Sequence, residues 1–416
     1  MLALAACGSG KEAAPAKKDG GTAAAVPKDA APDAPRIVDA RTRPMPAKVF
    51  LHGAGRCGEC HEKMYDEWEK SAHARSASSP LFKASAAAAK KQSDLACEPC
   101  HTPLLAEAPK DVVASEGVTC DVCHTLREPV PSVNGADFRL ADDDMVKFGP
   151  RCDLKDHYFH RMGCSPEHKE AVLCGSCHWW EPGGIPVFTE YKDWRDGPAS
   201  KAGEPCQSCH MPTTKAALAV GAPVRSGVPD HGLLGSAGDL RKSALALAFV
   251  VQDQADQLAV RVVLTNQGAG HHVPAGLPER RIVITVALFD HAGTKVSQKV
   301  SARGRVLVDA AGKPAPFWRA TKVAEDSRIP PNGDLTWDLT FPPPPGAGAV
   351  EVTVEHVVAS DELAKELGVT ADRFPLVTAK VPFGVKEGGA HAGLPKIVRV
   401  EPPRPAMGQQ KKKGAR

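Results

Sequence analysis

Apolar and polar residues alternate along the second half of the chain, from about residue 243. Period two is the side-chain period of a strand with one buried face, and β-branched residues favour strands. The pattern predicts strands in five segments: LALAFVV at 245–251, LAVRVVL at 258–264, RIVITVALF at 281–289, LTWDLTF at 335–341 and VEVTVEH at 350–356. Turn signals such as Pro-Pro-Asn-Gly at 330–333 separate them. We therefore expect residues 241–400 to form an antiparallel β-sandwich of immunoglobulin-like kind.

Helical patterns are short. The segment SDELAKELG predicts a helix with Ser360 as its N-cap and Gly368 at its end. A second helix is expected along CGECHEKMYDEWEKSAHA, which closes on His73. If that helix is straight, His61 and His73 lie about 18 Å apart, so the two side chains cannot share one metal ion.

Both ends of the chain lack a folding pattern. Residues 8–47 are mainly Ala, Pro, Lys, Asp and Gly, and this composition cannot bury enough apolar surface to fold. The tail at 401–416 is rich in Pro and basic residues. We expect a disordered linker at 8–47, a disordered tail at 401–416, and two folded domains between them, at 48–240 and 241–400.

The cysteines follow one repeated pattern. Of the 13 cysteines, ten fall into five copies of Cys-x-x-Cys-His, far more than chance predicts for this composition. Aromatic residues make up only 5% of the 416-residue chain, which is little for a core of this size. The copies are CGECH (Cys57, Cys60, His61), CEPCH (Cys97, Cys100, His101), CDVCH (Cys120, Cys123, His124), CGSCH (Cys174, Cys177, His178) and CQSCH (Cys206, Cys209, His210).

This motif is the attachment signature of c-type haem. Its two thiols add to the vinyl groups of one porphyrin, and the histidine gives the iron an axial ligand. Zinc sites use Cys-x-x-Cys pairs in twos, and a thioredoxin-like dithiol needs a single copy without the histidine. We therefore predict five covalently attached haems, which would fill the interior of a mainly helical and loop-rich domain. The 23-residue interval from Cys97 to Cys120 is the shortest, so these two haems are the expected stacked pair.

Three cysteines lie outside the motifs. Cys7, in LAACGS, resembles the acylated cysteine of a bacterial lipoprotein signal, although only six residues precede it. We expect residues 1–7 to be a signal remnant and Cys7 a lipid anchor. Cys152 and Cys164 are predicted to form a disulfide, with two separate thiols as the alternative.

Charge and hydropathy exclude two classes of protein. No stretch approaches the roughly 18 consecutive apolar residues of a membrane-spanning helix. The formal charge of +3 is too balanced to indicate nucleic-acid binding. Haem attachment requires export, so we expect a protein of the periplasm or of the outer membrane and cell surface of a bacterium, held to the membrane by its lipid.

Several longer segments resemble the multihaem cytochrome superfamily. They are CGECHEKMYDEWEKSAHA, GVTCDVCH at Gly117, FGPRCD at Phe148, HRMGCSPEHKEAVLCGSCH at His160, AGEPCQSCHMP at Ala202 and GAGHHVPAG at Gly268. That superfamily includes the tetrahaem carriers of nitrifiers, hydroxylamine oxidoreductase, octahaem tetrathionate reductase and cytochrome c nitrite reductase. The resemblance implies distal iron ligands at His73, His160, His168, His231 and His271.

The resemblance implies electron transfer among mostly bis-His haems, between other redox proteins. The alternative is an oxidoreductase acting on a small nitrogen or sulfur compound at one five-coordinate haem. No Cys-x-x-Cys-Lys motif of the nitrite reductases occurs, and none of the three tyrosines aligns with the cross-linking tyrosine of hydroxylamine oxidoreductase. Electron carriage is therefore the preferred interpretation. The sequence leaves open whether the chain forms oligomers or filaments.

Overall fold

The computed structural model describes residues 53–105, 112–141, 145–236, 238–254, 256–342, 346–384 and 396–403. The predictions made for Cys7, for the linker at 8–47 and for residues 404–416 lie outside these ranges. None of the helices in the described ranges has the length and apolar character needed to cross a membrane.

Short helices carry the five Cys-x-x-Cys-His motifs. The helices before the first long strand are Ala54–Gly58 (α1), Glu62–Trp68 (α2), Pro80–Gln92 (α3), Glu98–His101 (α4), Cys120–Thr125 (α5), Val172–Gly175 (α6), Glu190–Asp196 (α7), Pro198–Lys201 (α8), Cys206–His210 (α9) and Gly238–Lys242 (α10). Single 3₁₀ turns lie at Val112–Ser115, Pro166–Lys169, Pro182–Gly184 and Leu234–Ser236. Helices of four to seven residues are not stable alone. Their conformation therefore depends on what they pack against.

The longest helix, α3, shows clear end signals. Ser79 is its N-cap, with the hydroxyl oxygen 3.5 Å from the amide nitrogen of Phe82, and Pro80 occupies the first turn. The helix predicted to run as far as His73 ends instead at Trp68. His73 then lies in a series of turns. This part of the sequence prediction was wrong.

Three two-stranded ribbons link the short helices. Leu126–Arg127 (β1) pairs with Arg139–Leu140 (β2), Val146–Gly149 (β3) with Arg161–Cys164 (β4), and Thr213–Ala217 (β5) with Val224–Pro229 (β6). The β3–β4 ribbon is parallel and the other two are antiparallel. The buried apolar cluster of this part of the chain is small and consists of Leu104, Val113 and Val122.

Two four-stranded antiparallel sheets form the second half of the chain. The strands are Leu245–Asp253 (β7), Leu258–Asn266 (β8), Arg281–Asp290 (β9), Lys295–Arg303 (β10), Arg305–Val308 (β11), Lys322–Asp326 (β12), Asp334–Phe341 (β13), Gly348–Val357 (β14), Arg373–Phe383 (β15) and Lys396–Val400 (β16). One sheet has the order β13-β8-β7-β16 and the other β10-β9-β14-β15. Strands β11 and β12 form a separate ribbon.

The inward side chains of both sheets share one apolar core. It includes Phe249, Leu264, Ile284, Val352 and Phe341, each at most 1% exposed. All five strands predicted from the alternating pattern are present. The helix at Asp361–Leu367 (α11) is present as well, with Ser360 Oγ 3.2 Å from the Leu363 amide and Gly368 left-handed at φ 66°.

A third apolar cluster joins the two halves. Ala89 of α3 together with Ile185 and Val187 packs with Trp318 and with Leu363 of α11. A polar network lies beside this cluster and is described with the site below. The second half of the chain thus contacts the motif-bearing region through both apolar and charged groups.

Candidate haem sites

One helical turn brings the three functional residues of each motif together. The histidine amide donates to the carbonyl of the first cysteine of its motif, at 2.8 Å for His61, 3.1 Å for His101 and 2.9 Å for His178. Residues three and four positions apart lie on one face of such a turn. Both cysteine sulfurs and the histidine ring can therefore reach the same porphyrin.

Backbone carbonyls orient three of the motif histidines. Nδ1 of His61 lies 2.6 Å from the Leu218 carbonyl oxygen, Nδ1 of His101 lies 2.9 Å from that of Ser76, and Nδ1 of His124 lies 2.6 Å from that of Phe148. A carbonyl accepts a hydrogen bond, so Nδ1 carries the proton and Nε2 is left for a metal.

Four pairs of histidine rings have the spacing of two ligands on one iron. An imidazole nitrogen lies about 1.1 Å from its ring centroid and about 2.0–2.1 Å from a bound first-row metal, so opposed rings on one ion have centroids about 6.2 Å apart. The observed centroid distances are 6.2 Å or 6.3 Å for the pairs His61–His160, His73–His178, His124–His231 and His210–His271. The residues therefore fit bis-His haem c at four positions.

His73 and His178 come from segments far apart in sequence, and their rings lie 6.2 Å apart. Nδ1 of His73 is buried and has no hydrogen-bond partner among the described residues. Burial, followed by the neighbouring His178, lowers the pKa of His73 to about 3. His73 is therefore neutral at physiological pH, which is the form that binds a metal.

Two further members of these pairs are also held neutral. Burial lowers the pKa of His210 to about 4, assisted by His271. Burial, followed by His124, lowers the pKa of His231 to about 4. Nδ1 of His231 is 3.0 Å from the Pro229 carbonyl oxygen, which again leaves Nε2 free.

His168 does not take the place expected of it. Its Nδ1 lies 2.9 Å from Ser165 Oγ and its Nε2 lies 3.0 Å from the carbonyl oxygen of Cys123. Both ring nitrogens are thus engaged, and a nitrogen that donates to a carbonyl cannot also bind iron. The ring lies beside His124 at 5.7 Å, while His231 supplies the ring with a free nitrogen.

His101 differs from the other four motif histidines. Its ring packs face to face on Phe82, with centroids 4.0 Å apart and planes inclined by 11°. Among the described residues, no histidine ring stands at about 6.2 Å from His101. The fifth position therefore offers one axial histidine from the described part of the chain.

Contacts between cysteine sulfurs show which motifs lie next to one another. Hydrogen-bonding contacts join the sulfurs of three pairs of motif cysteines: Cys57–Cys120, Cys100–Cys177 and Cys174–Cys206. Cys123 and Cys177 are electrostatic neighbours as well. The path therefore runs from the first motif to the third and fourth, and the second and fifth motifs both adjoin the fourth. The contact of Cys120 is with Cys57, while Cys100 of the second motif and Cys123 of the third both adjoin Cys177, so the pairing of the second and third haems stays a prediction.

The disulfide predicted between Cys152 and Cys164 is present, with Cα atoms 4.8 Å apart. It connects the residues that follow β3 to the end of β4. His160 immediately precedes β4.

The second half of the chain supplies His271. Asn266, which is fully buried, donates from Nδ2 to the carbonyl oxygens of His271 at 2.9 Å and Ile329 at 3.0 Å, and so shapes the loop that presents the histidine. Sequence reasoning missed Asn266. The available signal was a polar residue at an inward position of the alternating strand, where the other inward residues are apolar.

A charged network fixes the same loop to helix α7. The Asp193 carboxylate lies 3.3 Å from His272 Nδ1 and 3.0 Å from the Arg328 guanidinium. Burial alone would raise the pKa of Asp193, but His272 and Arg328 outweigh it and lower the pKa to about 2. Glu190, also on α7, accepts a hydrogen bond from the Gly276 amide. Asp193 is therefore ionised at neutral pH and helps hold the loop of His271 in place.

The chain is similar to known proteins in part of its sequence and in its fold. Residues 56–125 match the family model "Cytochrome c554 and c-prime". A penta-heme cytochrome c552 from Thermochromatium tepidum, known from its crystal structure, superposes with a TM-score of 0.62 at 20% sequence identity, over 80% of this chain and 99% of that one. A structural-genomics target, SoR45, aligns over 36% of this chain with a TM-score of 0.19, too low to carry an argument. No curated protein matches the chain.

Proposed function

We propose that this chain, which is a multihaem c-type cytochrome by its motifs and its family match, carries electrons between redox proteins on the exported side of a bacterial membrane. The observation that carries the proposal is the set of four histidine pairs at 6.2 or 6.3 Å, whose neighbouring cysteines are in contact. Two imidazoles on one iron leave no coordination position for a substrate, which is typical of an electron relay.

The residues of the chain perform three tasks in this function. The motif cysteines hold the porphyrins covalently, and the motifs lie so close together that cysteines of different motifs are neighbours. Carbonyl acceptors such as those of Leu218 and Phe148 fix the histidine tautomers. Haem c itself supplies reversible one-electron chemistry.

The proposal also specifies the number of haems and the location of the protein. We infer five haems, since five motifs occur and the structural neighbour is itself named a penta-heme cytochrome. Multihaem c-type cytochromes are typically exported, which supports a periplasmic or surface location. The lipid anchor at Cys7 follows from the sequence alone.

We also assign the second half of the chain to the immunoglobulin-like sandwiches. In chain order its first seven long strands correspond to A, B, C, C′, E, F and G. One sheet then has the order E-B-A, with β16 added at its edge, and the other has C′-C-F-G. The pairing of B with E and of C with F is the pattern of that fold class.

A second function is favoured by one observation. The described part of the chain offers His101 no opposing histidine. An iron with one open face can bind and activate a small molecule. The alternative is therefore an oxidoreductase that acts on a small nitrogen or sulfur compound at the haem of the second motif.

Electron paramagnetic resonance of the oxidised holoprotein tests both functions. We expect five haems per chain, of which four give low-spin ferric signals and one, at His101, gives a high-spin signal. A high-spin haem that binds cyanide or nitric oxide but turns over no nitrogen or sulfur compound would support electron carriage, and turnover would support the enzyme. Fewer than four low-spin haems would contradict the relay.

A further inference from the structure

The β3–β4 ribbon lies between the first and third haem positions. Its strand β3 is fixed to the third. Lys147 Nζ lies 2.8 Å from the buried Asp121 carboxylate of α5, and the Phe148 carbonyl accepts the hydrogen bond of His124. The buried ion pair and the hydrogen bond from His124 thus hold β3 in place.

Strand β4 is attached mainly to β3. It follows His160, whose ring stands 6.2 Å from that of His61 at the first haem position. Four residue pairs join the strands in parallel, from Val146–Arg161 to Gly149–Cys164. An isolated ribbon of two short strands is marginally stable at best in water, and parallel pairing is the weaker kind.

Side-chain burial adds little to the segment that leads to His160. Tyr158 is 79% exposed and Phe159 is 41% exposed. A tight turn joins His157 and His160 through two backbone hydrogen bonds of 3.0 and 3.2 Å, but it anchors the segment only to itself. The tip also contacts the first motif, since the Arg56 guanidinium lies 5.6 Å from the centroid of the Phe159 ring, but an exposed contact of this kind contributes little.

Polar anchors of the same segment are exposed. The Arg151 guanidinium donates to the carbonyl oxygens of Ser226 and Gly227, and Asp153 pairs with Arg225. Exposed pairs of this kind contribute little because water competes for them. The Cys152–Cys164 disulfide adds a covalent connection, which ties the end of β4 to the residues that follow β3.

We propose that the Cys152–Cys164 disulfide is the positioning element for His160, and that reduction of the disulfide releases His160 from the iron of the first haem. The inference rests on the proposed bis-His ligation. Both cysteines are exposed, so a dithiol protein of the exported compartment can reach them. The reaction transfers two electrons and two protons: the S–S bond breaks, two thiols form, and the dithiol becomes a disulfide.

The first experiment uses the folded holoprotein. Dithiothreitol reduces the disulfide, iodoacetamide blocks the two thiols, and ferricyanide reoxidises the haems before paramagnetic resonance spectra are recorded. We expect one additional high-spin ferric haem per molecule, and we expect added imidazole to return it to low spin. Iodoacetamide without dithiothreitol is the control and leaves the spectrum unchanged. Rescue by imidazole distinguishes a released ligand from general unfolding.

A set of variants gives an independent answer. In the double variant Cys152→Ser/Cys164→Ser, one haem is expected to change from low spin to high spin, and the same change is expected in His160→Ala. In the triple variant, which adds His160→Ala, no second haem is expected to become high-spin, because the disulfide and the histidine act on the same iron. The haem of the third motif stays low-spin, since β3 is held by Asp121 and His124 independently of the disulfide.

Three results would overturn the inference. Mass spectra could show Cys152 and Cys164 alkylated while every low-spin signal is intact, or the double cysteine variant could give the native spectrum. In the third, the triple variant would have two additional high-spin haems instead of one. These outcomes leave the relay itself untouched. The relay fails separately, if the untreated holoprotein lacks the four low-spin haems.

Discussion

The two halves of the molecule fill their interiors in different ways. In the sandwich, both sheets contribute large apolar side chains such as Phe249, Ile284 and Phe341, each at most 1% exposed. In the motif-bearing region, the buried apolar cluster of the described residues is Leu104, Val113 and Val122. That region instead places histidine rings and cysteine sulfurs at its centre. A side-chain core suffices for one half, while in the other half the residues of the proposed haem sites occupy the centre.

The difference also explains the shapes of the elements. The sandwich strands run for eight to eleven residues in the two main sheets, apart from the edge strand β16. Most helices of the other half have four to seven residues, which is long enough to bring the residues of one motif together. The two halves meet where Trp318 and Leu363 pack on α3, and where Arg328 pairs with Asp193. The sandwich can thus act as a scaffold that delivers His271.

Removal of the haems should have the largest effect, and this effect should be confined to the motif-bearing half. We expect the full chain, produced in a host without haem-attachment machinery, to leave residues 53–236 unfolded and the two large sheets folded. The reason is that short helices without packing partners do not persist in water. Limited proteolysis with mass spectrometry should recover a resistant fragment that begins near residue 240. Protection of the motif-bearing region without haem would show that its own side chains suffice.

Loss of the Asp193 carboxylate should have a smaller effect, at the junction of the two halves. Asp193 and Arg328 are 11% and 8% exposed in their side chains, and removal of one partner of a buried pair leaves the other charge uncompensated. We expect Asp193→Asn to lower the free energy of unfolding by about 3 kcal/mol, as measured by denaturant titration. Asp196→Asn, an exposed neighbour on α7, is the matched control and should change nothing measurable.

The same pair predicts a pH dependence. The pKa of Asp193 is lowered from 3.8 to about 2 in the folded protein. A lowered carboxyl pKa contributes stability above the unfolded value, and this contribution disappears as the pH falls through the folded value. The difference between the native protein and Asp193→Asn should therefore shrink from about pH 4 towards pH 2. A difference that is constant across this range would exclude the ionised carboxylate as its source.

Much of the sandwich could be predicted from sequence because its signal is local. Apolar and polar residues alternate in the sequence of strands β7, β8, β9, β13 and β14, and their side chains alternate in burial in the fold. Strand β10 was missed because most of its residues are exposed, so the apolar half of the period-two signal is absent. Strand β15 was missed for a related reason, since the apolar residues are unevenly spaced along it.

The haem positions were predictable in part. The motif fixes the cysteines and the first histidine of each position, since these residues are adjacent in sequence. The second histidine depends on contacts between distant segments, such as His124 with His231, and no local pattern encodes them. Resemblance suggested five candidates, and the structure places four of them opposite a motif histidine. The fifth, His168, differs because Ser165 and Cys123 occupy its ring nitrogens.

The smallest expected effect is a change in the spin state of one haem, which distinguishes His73 from His168. His73→Ala should turn one low-spin haem high-spin, because the ring opposite His178 is lost. His168→Ala should leave every low-spin signal in place, since neither nitrogen of His168 is free for iron. Both histidines lie close to a motif histidine, at 6.2 and 5.7 Å, so proximity alone cannot explain different outcomes. Paramagnetic resonance of the oxidised variants decides the matter. Equal spectra from the two variants would mean that ring spacing and nitrogen availability do not identify the proposed iron ligands of this chain.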